Sequence, residues 1–137
     1  MPGISPPETV PGGSERLLLV DDEEGLVKME QGMLSKLGYQ TTACIGSMDA
    51  LRVFSAAPDS FDLVMTDLTM PGMTGIQLSK EIKKIRPDIP ILLCTGFSDQ
   101  LNEEKIDAMG LQGFLLKPLI RRETALAIRS ALDRREK

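Results

Sequence analysis

Apolar residues recur along this chain in two rhythms. Short unbroken runs stand at LLLV (17–20), LVM (63–65), ILLC (91–94) and FLL (114–116), each followed at once by acidic, hydroxyl or proline-bearing positions. Runs of this length, rich in aliphatic residues, read as strands buried on both faces, the pattern of a parallel sheet. With a less regular run over 39–45, they predict strands at 16–20, 39–45, 61–66, 90–95 and 113–116. Between them the apolar spacing changes to three and four. Leu26, Met29, Met33, Leu34 and Leu37 mark a first helix that Gly38 ends, with Met29 and Met33 expected in the core. Ser47 is placed to cap a second helix carrying Ala50, Leu51, Val53 and Phe54, which stops before Pro58. Ile76, Leu78, Ile82 and Ile85 form a third stripe ending before Pro87. A fourth helix, reaching about Met109, has only Leu101, Ile106 and Ala108, so it should be lightly packed. The last runs from about Ile120 to Arg134, with Leu126, Ile128 and Leu132 inward. Strands alternating with helices predict an α/β fold with right-handed crossovers. Residues 1–15 hold four prolines and three glycines and read as a flexible linker or tail, leaving 16–137 as one domain.

The polar residues that close the strands carry the chemistry. The first strand ends in Asp21-Asp22-Glu23-Glu24, the third in Asp67 with a Pro71-Gly72 turn behind it, the fourth in Thr95-Gly96 and the fifth in Lys117-Pro118. In an open parallel sheet, ligands bind at the carboxyl ends of the strands. Acids in a first helical turn complement the helix dipole, but four in succession exceed what capping needs. Clustered carboxylates raise one another's pKa unless a cation intervenes. With oxygen ligands only, the favoured ion is Mg2+ or Mn2+. Such a site suits metal-assisted phosphoryl transfer, with Asp67 as nucleophile and an acyl phosphate as product. Lys117 could pair with Asp67 before transfer and with a phosphoryl oxygen afterwards. Pro118 favours a fixed approach, a cis peptide at Lys117–Pro118 being one way to achieve it. Thr95 could donate its hydroxyl.

Composition removes other classes. A formal net charge of −4, no tryptophan and one tyrosine disfavour nucleic-acid binding. No apolar run is long enough to cross a bilayer, and no secretory signal opens the chain, so a cytoplasmic location is expected. Cys44 and Cys94 lie inside apolar runs and read as reduced, buried thiols. Histidine is absent, which removes a Ser-His-Asp triad and a histidine metal site. Any phosphohistidine donor must lie outside this stretch of sequence.

The ordered set LLLVDDEE, LVMTDLTMPGMTG, ILLCTG and FLLKP resembles the receiver domain of two-component response regulators, over roughly residues 15–135. The resemblance implies a doubly wound, flavodoxin-like (βα)5 fold with strand order 2-1-3-4-5 and helices on both faces. It implies that Asp67 accepts a phosphoryl group from a histidine kinase or histidine phosphotransfer domain. Asp21, Asp22, Asp67 and the Thr69 backbone carbonyl would hold Mg2+, while Thr95 and Lys117 contact the phosphoryl oxygens. Phe114 stands where the family often has tyrosine and would couple to Thr95 as a switch. The surface of the fourth helix, fifth strand and fifth helix would carry the output. The domain would catalyse only its own phosphorylation and dephosphorylation, as a monomer or weak homodimer. ERLLLVDDEE and RPDIPILLCTGFS are most similar to the C-terminal receiver of a hybrid sensor histidine kinase. A single-domain regulator or phosphate sink is the alternative.

Three other readings fare worse. An aspartate-nucleophile phosphatase of the haloacid dehalogenase kind needs a second aspartate two residues after the nucleophile, where Thr69 stands. A nucleotide or flavin domain needs a glycine-rich loop after the first strand, where this chain has acids. An interaction module that is never phosphorylated has no need for the acids, threonine and lysine together.

Overall fold

The structure is a computed structural model, and it describes residues 10–96 and 103–135. Among these, five strands alternate with five helices: β1 Arg16–Asp21, α1 Glu24–Lys36, β2 Gln40–Ile45, α2 Ser47–Ala56, β3 Leu63–Asp67, α3 Gly75–Ile85, β4 Ile91–Thr95, α4 Glu103–Ala108, β5 Gly113–Leu116 and α5 Arg121–Arg135. All neighbouring strands are parallel, in the order β2-β1-β3-β4-β5. This is the doubly wound sheet expected.

The two-residue strand period divides the core into two layers. Leu18, Val20, Val64 and Leu93 pack with Ala50 and Phe54 of α2 and Leu78 and Ile82 of α3. Leu17, Leu19, Met65 and Leu92 face the other way, onto Val27 and Leu34 of α1 and Ile128 and Leu132 of α5. Every residue of β3 and β4 is buried, which is why those runs carry no internal polar alternation apart from Thr66.

Helix rotation departs from the sequence reading in places. Met29 is 63% exposed and Met33 is only half-buried, so neither sits in the core. The inner row of α1 is Val27, Glu30 and Leu34. Met29 lies two residues from Val27, roughly 200° around the helix, and cannot share that face. Leu126 stands in the same relation to Ile128 and is 47% exposed; Ala125 and Ala131 take its place inside. Ile85 lies at the end of α3 and is 42% exposed. Ser47 does not cap α2. It is the first helical residue, Gly46 occupies the cap, and the Ser47 hydroxyl donates to the Met73 carbonyl at 2.8 Å, tying α2 to the loop after β3.

Of the stretch read as flexible, residues 1–9 lie outside the described residues. Residues 10–15 pack onto the domain: Val10 contacts the α1/α5 core layer, and Gly13 N–H donates to the Leu37 carbonyl at 3.2 Å. Gly38, at φ 104°, makes room for this, since a Cβ there would meet the Gly13 carbonyl at 2.3 Å. Arg129 of α5 grips Glu15 at 2.7 Å and 3.1 Å. These hydrogen bonds outweigh burial and hold the Glu15 carboxyl below its usual pKa.

Candidate functional site

The carboxyl ends of β1, β3, β4 and β5 meet at one edge of the sheet. Parallel pairing sets Val20 beside Thr66, Asp67 beside Cys94 and Thr95 beside Leu116, so the residues closing these strands fall level. Backbone bonds continue the ladder past the strand ends. Leu68 N–H donates to the Cys94 carbonyl at 2.8 Å, and Lys117 N–H to the Thr95 carbonyl at 2.7 Å. The Lys117–Pro118 peptide is cis.

Three carboxylates gather there. Asp21 is 1% exposed, Asp67 is 8% exposed and Asp22 is open to solvent. One oxygen from each lies within 4.8 Å of the others, the spacing of a shared cation site. Lys117 spans the buried pair: its ammonium is 2.7 Å from Asp21 Oδ2 and 3.1 Å from Asp67 Oδ1. The second Asp21 oxygen accepts the Glu23 N–H at 3.1 Å, which fixes the carboxylate at the head of α1. Thr69 is exposed, and among the described residues no backbone N–H donates to its carbonyl.

The electrostatics follow from three acids facing one ammonium. Burial raises the pKa of Asp67, and the nearby Asp21 and Asp22 add to this, against the lowering effect of Lys117. Burial would lower the pKa of Lys117, but hydrogen bonds to Asp21 and Asp67 outweigh it and hold the ammonium above its usual value. The edge carries an excess of two negative charges when all three acids are ionised, which a hard divalent ion would neutralise. Asp21, Asp22, Asp67 and the Thr69 carbonyl are oxygen donors of the type such an ion takes.

Thr95 is 2% exposed at the end of β4. Phe114 packs against the α2/α3 core layer and, with Ile106 of α4, lines a cavity bordered by Ser130 and Arg134 of α5. The loop between β4 and α4 lies outside the described residues, as does most of the polar helix start expected there. Cys44 and Cys94 are free and buried, and burial pushes both thiols up, Cys44 to about 11. Neither is a nucleophile at neutral pH.

Two residues that shape the edge escaped the sequence reading. Gly75 opens α3 directly beneath β3: a Cβ there would meet the Asp67 carbonyl oxygen at 2.2 Å. Its N–H donates to the Leu68 carbonyl at 2.8 Å, and a Thr74/Gln77 capping box holds the helix start in that position. The signal was present in Thr74-Gly75, three residues before Gln77 and the apolar stripe. The other is Glu30, only 5% exposed on the inner row of α1. Burial pushes its carboxyl up to about 7, with Asp21 and Asp67 adding to the rise and Lys117 opposing it. Its signal was an acid at an otherwise apolar position between Val27 and Leu34.

A doubly wound sheet with a buried aspartate, two further acids and a lysine at its carboxyl edge defines a class of phosphoryl-accepting α/β domains. The family model for the response regulator receiver domain matches residues 17–129, and the chain belongs to that family. A probable transcriptional regulator, ycf27, of Cyanidium caldarium is 38% identical over 119 residues, which cover 86% of this chain and 46% of that protein. The transcriptional regulatory protein GlrR of Escherichia coli is 34% identical over 85% of this chain and 26% of its own length. The sensor kinase CckA of Brucella abortus is 27% identical over 90% of this chain and 13% of its own. The chain thus spans less than half the length of these relatives. Among solved structures, a response regulator receiver domain protein from Clostridium thermocellum superposes with a TM-score of 0.83 at 30% identity, covering 89% of this chain and 97% of that one. The response regulator TrrA of Thermotoga maritima, crystallised with Mg2+ and BeF, gives 0.76 at 26% identity, covering 86% and 99%. Receiver domains bind Mg2+ at an acidic pocket and work with histidine kinases or phosphotransfer partners. Among the described residues, no helix is long and apolar enough to cross a membrane.

Proposed function

We propose that this domain takes a phosphoryl group from a partner's phosphohistidine onto Asp67 and signals through the change that follows. The observation that carries this reading is the Lys117 ammonium lying between Asp21 and Asp67, with Asp22 alongside. An oxygen of Asp67 attacks phosphorus in line. The bond from phosphorus to the imidazole nitrogen breaks, its electron pair stays on nitrogen, and the imidazole is released after taking up a proton. An acyl phosphate remains on Asp67. Asp21, Asp22, Asp67 and the Thr69 carbonyl would hold Mg2+, which would neutralise phosphoryl charge. Lys117 exchanges its bond with Asp67 for one with a phosphoryl oxygen, and Thr95 donates a second. Phosphorylation adds nearly two negative charges at this edge. The lysine N–H bonded to the Thr95 carbonyl couples β4 to β5, so movement at Thr95 reaches Phe114 and the α4/β5/α5 surface.

Two settings have support. Similarity to CckA over 90% of this chain supports a receiver within a hybrid sensor kinase, acting in the cytoplasm. The higher identity of the transcriptional regulators supports a regulator setting. Phosphotransfer from a panel of kinases and phosphotransfer domains distinguishes them by the preferred donor. The primary test is intact mass after incubation with acetyl phosphate and Mg2+. Gain of one phosphoryl group, absent in Asp67→Asn and prevented by EDTA, is expected. Equal gain in Asp67→Asn would assign the chemistry elsewhere, and no gain in folded, Mg2+-binding protein would favour an unphosphorylated interaction module.

A further inference from the structure

α3 carries lysines at positions 80, 83 and 84, a spacing that sets them on one side of the helix. Beside them runs a groove of about 270 Å3, walled by α3 and by the end of α4 with the turn that follows it. Its floor is apolar. Ile76 and Met109 are partly buried against the α2/α3 core layer, and Leu111 is buried within it. Among the described residues, Lys80, Lys83 and Lys84 are the only charged side chains along the groove, and their aliphatic stems widen the apolar strip. Lys80 is exposed and makes no hydrogen bond or ion pair among the described residues. Lys83 donates to the Pro87 and Ile89 carbonyls at 3.3 Å and 3.0 Å, which fixes its charge in place. Lys84 pairs with Glu81 at 2.8 Å, but the pair is solvent-exposed, and such pairs are screened and worth little. The nearby acids Asp88 and Asp107 border other cavities, next to α5. This lining of one sign contrasts with a larger cavity of about 590 Å3 between α1 and the turn from β5 to α5. Met29 and Met33 line that cavity, but Glu30 stands there with Lys117 and Arg121, so it favours neither sign of charge.

From the lysine bank and the apolar floor, we infer that the α3/α4 groove docks an acidic amphipathic helix of a partner protein. The apolar face of that helix lies on Ile76, Met109 and Leu111, and its carboxylates meet Lys80 and Lys84. Helix-in-groove recognition divides its labour in this way, with apolar anchors in the groove and complementary charge at the rim. Lys80 and Lys84 stand one turn apart, about 6 Å along the axis, which matches carboxylates at the same spacing on the partner. Three features select this occupant. The groove is smaller than the roughly 300–1,000 Å3 of small-molecule sites. Three lysines opposed by Glu81 fall short of the basic clusters, about four to eight residues, that hold anionic membranes. A net charge of −4 on the chain disfavours nucleic acid. The groove takes no part in Asp67 chemistry, so its failure would leave the phosphoacceptor reading untouched.

The probe is a capped helical peptide with a stripe of leucines flanked by glutamates. A version with lysine in place of glutamate is the charge-reversed control, and a version with serine in place of leucine removes the apolar face. Each is titrated into the whole chain in metal-free buffer, with the methyl NMR signals of Ile76, Met109 and Leu111 as the readout. Saturable shifts are expected with the glutamate peptide, which should bind about tenfold tighter than either control. Lys80→Glu combined with Lys84→Glu changes only exposed side chains, with folding checked by the urea midpoint. It should invert the preference, so that the lysine peptide binds the variant better than the glutamate peptide does. Equal binding of the glutamate and lysine peptides, or a preference that the charge reversal leaves unchanged, would overturn the inference. So would the absence of saturable shifts with the glutamate peptide. Equal binding of the serine peptide would make the groove a site for bare anions and not for a helix. Binding to phosphatidylserine vesicles, lost in the variant and without peptide shifts, would assign the lysines to a membrane surface instead.

Discussion

Glu30 occupies a position that the α1 face would otherwise give to an aliphatic side chain, and this makes stability depend on pH in a way that can be worked out. Its carboxyl is raised from 4.5 to about 7, burial being the largest cause. Between those values the folded protein binds more protons at this site than the unfolded chain, so stability falls as pH rises through the window. The penalty is absent below about pH 4.5 and complete above about pH 7. At about 1.4 kcal/mol per unit, the full shift corresponds to roughly 3 kcal/mol. Solvent in the adjoining cavity screens part of this, leaving about 1–3 kcal/mol. Glu30→Gln removes the titration and keeps the volume. The assay is urea unfolding of both proteins in EDTA at about pH 5 and about pH 8, compared at equal m-value. The wild type should lose about 1–3 kcal/mol more than the variant between the two pH values. Titrating groups remote from Glu30 cancel in the comparison. Parallel profiles agreeing within about 0.5 kcal/mol would refute the claim that a buried, ionisable Glu30 limits stability at neutral pH.

Other expectations follow from the same contacts. Lys117→Ala leaves Asp21 and Asp67 facing each other, and in EDTA it should cost about 3 kcal/mol; Mg2+ should restore most of that, and failure to do so would argue against a shared cation site. Gly75→Ala drives a methyl into the Asp67 carbonyl, with an expected loss of about 1–3 kcal/mol and phosphoryl uptake at least about tenfold slower, read by denaturation and by time-resolved intact mass. Arg86 donates to the Pro58 carbonyl at 2.9 Å and to the Phe61 carbonyl, joining the end of α3 to the turn before β3; Arg86→Ala should cost about 2 kcal/mol in urea melts without changing Mg2+ affinity. Phe114→Ala should alter hydrogen exchange of α4 on phosphorylation more than it alters phosphoryl uptake; an unchanged exchange response would remove Phe114 from the switch.

The sequence by itself determined the order of elements, the parallel sheet and the identity of the strand-closing residues. Those features are local. An apolar run long enough for a strand and too short for a helix specifies itself, and the residue that ends it is read directly. Asp21, Asp67, Thr95 and Lys117 were legible because a parallel sheet sends every strand's carboxyl end to the same edge. Which face each helical residue takes was decided by tertiary structure. Apolar spacing alone admitted both the Met29/Met33 row and the Val27/Leu34 row on α1, and packing against Leu17, Leu19 and α5 chose the second. That choice buried Glu30 and turned the methionines toward a cavity. Ser47 had the chemistry of a cap, but the loop after β3 brought it a carbonyl instead. Gly75 looked like an ordinary turn residue until β3 passed close against it. Close approaches between segments distant in sequence leave no local periodicity. They are set when the sheet and helices pack, and here they shape the acidic edge and the cavity beside it.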